Sequence, residues 1–327
     1  MKEHVWKYLL CATVLFVLVV SPCLAAEDPA KFPSKPITMI ITFGVGGDLD
    51  LTNRMMVELA SKHLGQKIVC ENKPGGGGGL GSTMIAKAAP DGYTIGTASY
   101  GPMVYRPIIW GTDYKPKEDF TFLTGYGEFT FGFCVNADSP YKTFKDFVDA
   151  ARKDPGYITY TSTGHLSGQH VFMEQVFAQE KVRVTHVPGK GGQEPNIMVM
   201  GGHVDGAIDS DILGSVLDGK CRMLVSQSFK RNPLFPDVPT FYELGYNYEP
   251  VLWLGILGPK GMDPRIVKKY EDAFKKAFDD PAYKKLAKDL RVTEVYRNSK
   301  EFTEKVNEDI DYQTKALQEI KKRMQVD

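Results

Sequence analysis

Apolar and polar positions along this chain fall into short blocks that switch between a strand period and a helix period. Ile37 to Phe43 is a β-rich apolar run, which predicts a buried strand. Gly44-Val45-Gly46-Gly47 makes a turn, and Asp48 or Asp50 is placed to cap the helix that follows. Met55, Met56, Leu59, Ala60 and Leu64 form its apolar stripe, and Gly65 ends it. The next expected elements are a strand over Lys67–Glu71, a glycine-rich loop over Pro74–Gly81, a short helix over Ser82–Ala88 and a strand over Tyr93–Ser99. The pattern returns with strands at 130–135, 157–161, 182–187, 204–208 and 222–226, and helices at 143–153, 167–179 and 193–200. Val251 to Leu257 is again apolar, and from Pro264 the chain turns helical and charged over 264–279, 282–289 and about 299–324.

Such alternation predicts an α/β fold with largely parallel sheet. At roughly 100–200 residues per domain, the 327 residues make two domains. The expected arrangement is two α/β lobes, residues 26–130 plus 252–327 and residues 131–251, with crossings near 130 and 252 and a ligand cleft between them.

The first 25 residues stand apart. Lys2 and Lys7 precede an apolar run from Tyr8 to Val20, then Pro22 and small residues, the pattern of a signal peptide. The run falls short of the ~20 residues that span a bilayer, so an exported, periplasmic protein is expected. Pro22 makes Cys23 a poor lipid-attachment site. Cys70, Cys134 and Cys221 remain after processing, and three buried thiols are the simplest expectation. Lysine plus arginine balance aspartate plus glutamate at 40 each, so nothing points to a nucleic-acid partner.

Two loops carry the candidate chemistry. Gly46, Gly47, Asp48 and Asp50 lie where a strand turns into a helix, and backbone N–H groups at a helix start favour an anion. The same holds for the second loop, with Ser162, Thr163, Ser167, Gly168 and His170. Ser167 and His170 also admit an exported serine hydrolase, although the surroundings are not a Gly-x-Ser-x-Gly elbow. Gly76, Gly78 and Gly81 meet a Gly-x-Gly-x-x-Gly spacing within a run of glycines, which is weak evidence for a nucleotide. His165 and His170 are five apart rather than four, and no Cys-x-x-Cys occurs, so neither a metal nor a cofactor is expected.

Several segments together resemble one family, the TctC or Bug receptors of tripartite tricarboxylate transporters. They are Lys35-Pro36-Ile37, Phe43 with Gly46-Gly47 and Asp50, Glu71-Asn72-Lys73-Pro74-Gly75, and Ala86 to Thr94. Further along come Tyr160 to His170, His186-Val187-Pro188, Gly202-His203-Val204-Asp205 with Asp209, and Pro236 to Thr240, and the likeness covers about residues 33–325. It implies a periplasmic-binding-protein fold of type II character, monomeric and without enzymatic activity. It also implies a small organic carboxylate as ligand and a large and a small integral membrane subunit as partners. A receptor that signals instead of feeding a permease is the alternative output. Carried over, the ligand-binding residues are Gly46, Gly47, Asp48, Asp50, Ser162, Thr163, Ser167, Gly168, His170 and Asp209, with Lys190 in a loop beside the cleft. Asp48 departs from the serine or threonine common in the family. A carboxylate there repels a bound anion, so it either turns outward as a cap or meets a cationic ligand group.

Overall fold

The computed structural model describes residues 28–191, 193–228, 230–248, 253–318 and 321. The expected signal peptide, Cys23, the crossing at 252 and the last helical residues lie outside them.

The first sheet is built from β1 (Ile37–Ile41), β2 (Ile68–Asn72), β3 (Thr94–Ser99), β4 (Phe120–Glu128) and β10 (Trp253–Pro259). Its helices are α1 (Asp48–Leu64), α2 (Gly79–Ala86), α3 (Arg106–Ile109), α8 (Pro264–Asp279), α9 (Pro281–Asp289) and α10 (Ser299–Ala316). The second sheet holds β5 (Phe131–Asn136), β6 (Thr159–Ser162), β7 (Thr185–Pro188), β8 (Gly206–Asp209) and β9 (Cys221–Gln227). With it go α4 (Phe144–Lys153), α5 (Gly168–Glu180), α6 (Glu194–Met200) and α7 (Leu213–Leu217).

Strand order is β2-β1-β3-β10-β4 in one sheet and β7-β6-β8-β5-β9 in the other. Each sheet has a parallel trio, as βαβ units require, and one antiparallel intruder. The intruders are β10, antiparallel to β3 and β4, and β5, antiparallel to β8 and β9. Each sheet is thus largely parallel in strand direction, as expected, and is made mixed by a single antiparallel strand. Strand direction at these two positions is set by chain crossings, which local pattern does not encode.

Local sequence accounts for most boundaries. Thr143 accepts from the Asp146 N–H while Asp146 returns a bond to the Thr143 N–H, a capping box that starts α4. Asn298 and Glu301 do the same for α10. Gly65 closes α1 in a left-handed conformation. Capping by Asp48 or Asp50 is not what starts α1: Gly47 is the N-cap, and no side chain caps the helix there. These three thiols are free, with Cys134 and Cys221 buried and Cys70 half-buried on the edge strand β2, packed against the core.

β10 is buried along its whole length. Its Trp253 indole donates to Asp309 of α10 at 2.9 Å, which ties the returning strand to the C-terminal helix. Two residues along the strand, Gly255 faces Phe302. A Cβ there would lie 2.2 Å from the Phe302 ring and 2.7 Å from the Thr124 carbonyl, and backbone on that side leaves no room to yield. Gly255→Ala is expected to destabilise the protein by about 1–3 kcal/mol, the usual cost of overpacking a core, read from urea unfolding midpoints.

Candidate functional site

Between the two sheets lies a cleft of about 490 Å3, part of it open to solvent. Phe43, Gly44, Gly47, Asp48, Leu49, Asp50, Ser99, Tyr100 and Gly101 line it from the first-sheet side. Thr163, Gly168, Gln169, Gly191, Asp209, Ser210 and Asp211 line it from the other, with Phe129 and Phe131 at the crossover. The lobes touch around it. Gly44 packs on the Lys190 carbonyl, where an added Cβ would sit at 3.3 Å. A Cβ on Gly77 would come within 2.8 Å of the His165 carbonyl, and one on Gly168 within 1.9 Å of the Tyr100 ring. The glycine-rich run is thus a contact surface for the opposite lobe.

Of the expected site residues, Gly47, Asp48, Asp50, Thr163, Gly168 and Asp209 reach the cleft. Gly46, Ser162, Ser167 and His170 are not among its lining residues and form the support behind it. Gly46 adopts a φ of 84° and donates its N–H to Asp50 at 3.0 Å. Asp50 also receives Arg54 at 3.0 Å and Asn72 at 2.8 Å. Burial alone would raise its pKa, but Arg54, Asn72 and the Gly46 amide outweigh that and hold it below the ordinary carboxylate range. Asp50 therefore fixes the turn as an anion that is already satisfied. Lys190 is exposed, and its backbone N–H is taken by Glu194 at 2.7 Å.

In the second loop, Ser167 is the N-cap of α5 and accepts the His170 N–H at 3.3 Å. The imidazole of His170 turns the other way and accepts the Leu166 N–H on Nδ1 at 3.0 Å. That bond holds Leu166 at a φ of 62°, a conformation that costs a non-glycine residue energy. The pair that admitted a hydrolase is thus a helix cap and a loop brace. Ser162 shares hydrogen bonds with Ser167 at 3.2 Å and with His186 Nε2 at 2.9 Å.

His186 joins because β6 and β7 pair with Tyr160 beside it. Its ring stacks on His170 at 3.9 Å and 13°, and His165 lies 5.0 Å from His170. The fold thus gathers three histidines with ring nitrogens within 4.8 Å of one another, which their spacing in the sequence does not suggest. Imidazole lone pairs lie in the ring plane, and stacked rings cannot aim two of them at one ion. Burial, and then the neighbouring imidazoles, hold His170 well below its ordinary pKa and His186 down to about 3. Burial, and then Arg106, lowers His165 as well.

Asp48 does not turn outward. It is 6% exposed, and its N–H donates to Asp211 Oδ1 across the cleft at 2.8 Å. Asp209 sits beside them, with its Oδ1 accepting the Ser210 N–H at 2.7 Å. Burial raises all three carboxyls: Asp48 above its ordinary value, Asp211 well above it, and Asp209 to about 7, helped by the charge of Asp48. The two turns also differ in which amides they leave free. At the first turn the Gly46 and Asp48 N–H groups are already used by the protein's own carboxylates. The start of α5 keeps the Gly168 and Gln169 amides, which no helix can pair internally. Sequence reasoning missed Ser210 and Asp211, and the aromatic walls Tyr100, Phe129 and Phe131. The rule that ligands gather beyond the carboxyl ends of strands would have found the first two, just past β8.

The histidine stack generates a pH test. His186 has its folded pKa depressed, so its contribution is complete above the ordinary value of 6.5 and is lost as pH falls towards about 3. Unfolding free energy measured in urea should fall from pH 6.5 to 4 more steeply in the wild type than in His186→Phe, which keeps a ring in the stack without titrating.

Residues 52–322 match the family model described as tripartite tricarboxylate transporter family receptor. A protein of Cupriavidus necator, known as the UPF0065 protein in the gbd 5' region, is 37% identical over 295 residues, covering 90% of this chain and 89% of its own length. A solved periplasmic transporter superposes with a TM-score of 0.82 at 31% identity, over 88% of this chain and 97% of that one. MatC of Rhodopseudomonas palustris, solved with bound malate, gives a TM-score of 0.83 at 26% identity over 88% and 100% of the two chains. With two lobes meeting over a cleft and this match across most of its length, the chain belongs to the TctC family of tripartite tricarboxylate transporter receptors.

Proposed function

We propose that this receptor captures a small organic carboxylate outside the cytoplasm and delivers it to the large and small membrane subunits of a tripartite transporter. The observation that carries the reading is the cleft between the touching lobes, lined by Gly168 and Gln169 at the start of α5, whose first-turn amides have no partner within the helix, and by Thr163, whose hydroxyl donates to Gln169 Oε1 at 3.0 Å. Amides at a helix start suit a carboxylate. Malate in MatC supports the same ligand class. Closure of the lobes around the ligand would then present the surface that the membrane subunits read.

The lobes in this reading are residues 26–130 plus 252–327 and residues 131–251, in line with β5 joining the second sheet and β10 rejoining the first. Residues 1–25 would be the signal peptide that sends a monomeric receptor to the periplasm. Among the described residues, no helix is long and apolar enough to cross a membrane. The reading needs no cofactor and no catalytic step.

Thermal melting against mono-, di- and tricarboxylates and amino acids tests it. A ligand at one hundred times its Kd adds about 2.7 kcal/mol, and the melting temperature should rise by several degrees with one class of acid. Gly168→Ala places a methyl group between the Tyr100 ring and α5. The variant should bind that acid at least about tenfold more weakly, a loss of 1.4 kcal/mol or more, with little change in its ligand-free melting temperature. Full affinity in the variant would show that the lobes need not meet at this point to hold a ligand.

A further inference from the structure

We propose that the Asp48, Asp209 and Asp211 end of the cleft is a cation subsite, so that the carboxylate carried by this receptor also bears a positively charged nitrogen. The inference rests on the carboxylate-receptor reading and narrows it to a class of ligand.

Three carboxyl groups converge where the lobes meet, one from the first-sheet side and two from the second. Asp48 makes Asp209 harder to ionise, and both make Asp211 harder, while side-chain hydrogen bonds from Asp211 and Ser210 favour the charged form of Asp48. Arg291 acts on Asp48 through space, and no cation contributes comparably at Asp209 or Asp211. An anionic ligand without a positive charge would add a further like charge to this group, at short range and away from water.

Two independent features point to an occupant. The first is a set of buried polar atoms without partners at the cleft wall. Asp209 is 2% exposed and its Oδ2 has no hydrogen-bond partner, and Ser99, 3% exposed, has an unpartnered Oγ. Buried acceptors are seldom left unmatched, and an ammonium supplies several donors at once. The second is the aromatic wall. Tyr100 and Phe131 lie with ring centroids 5.9 Å apart, Phe129 and Phe131 at 5.5 Å, and all three rings line the same cleft. Aromatic rings beside a buried acidic group add a surface over which a cation is stabilised.

The cleft therefore presents groups of both kinds to one ligand. Amides of Gly168 and Gln169 at the start of α5 suit the ligand carboxylate. The start of α1, which would otherwise take a second carboxylate, already has its Asp48 amide bound to Asp211. A zwitterion matches both kinds, whereas a plain dicarboxylate meets repulsion from the carboxyl groups.

Isothermal titration of the full chain with matched acids tests the proposal. The probe pairs are succinate with aspartate, glutarate with glutamate, and butyrate with 4-aminobutyrate, with glycine betaine as a quaternary nitrogen. A nitrogen-bearing probe should bind at least tenfold more tightly than its nitrogen-free counterpart. Asp209→Asn and Asp48→Ser should each remove that preference, weakening the nitrogen-bearing acid while leaving the plain acid unchanged or tighter. Asp48→Ser keeps the test available if Asp209→Asn does not fold. A plain acid that binds as tightly as its partner, or a preference that survives both substitutions, overturns the cation subsite and leaves the carboxylate receptor standing. Absence of binding by every probe overturns both.

Discussion

The cleft takes its shape because the two lobes come close enough to touch. At Gly77 and Gly168 the opposite lobe occupies the volume that a Cβ would need. Those contacts place α5 opposite α1 and bring Asp211 within hydrogen-bonding distance of the Asp48 amide. They also bring like charges together. Shape and the Asp48–Asp211 bond favour closure while burial of the three carboxyl groups costs energy, so the balance is open to control by whatever enters the cleft. A receptor needs such a balance, since a ligand shifts an equilibrium only through unequal interaction with its two states.

Behind the cleft, stiffness comes from polar groups that are satisfied inside the protein. Asp50 gathers Gly46, Arg54 and Asn72, and the second loop is braced by Ser162, Ser167, His170 and His186. Such networks fix the backbone and leave few side-chain groups free to reach a ligand. Four of the ten residues expected at the site turn out to act in this way, one step removed from the cleft.

Much of the architecture was legible in the sequence because strand and helix periods are local. Ile37–Ile41, α1, α4 and α8 follow from pattern and end signals. β4 was passed over because Gly125 and Gly127 interrupt its apolar run, and its pairing with β10 needs two register shifts. Antiparallel insertion of β5 and β10 depends on which sheet the chain re-enters, and no window of sequence holds that. The histidine stack was hidden for a similar reason: His186 reaches His170 through strand register, not through spacing along one helix. The resemblance to TctC receptors supplied what local physics could not, namely that the two glycine turns face one another.

Asp48 shows where family likeness and physical reasoning separate. The likeness marks position 48 as part of a turn that receives an anion. The geometry instead makes the Asp48 amide a donor to Asp211 and buries its carboxyl beside two others. Beside it Asp209 keeps a buried oxygen without a partner, and aromatic residues line the same space. Burial of like charges is expensive unless something positive completes the group. The carboxyl cluster is therefore better understood as half of an interaction, whose other half arrives with the ligand.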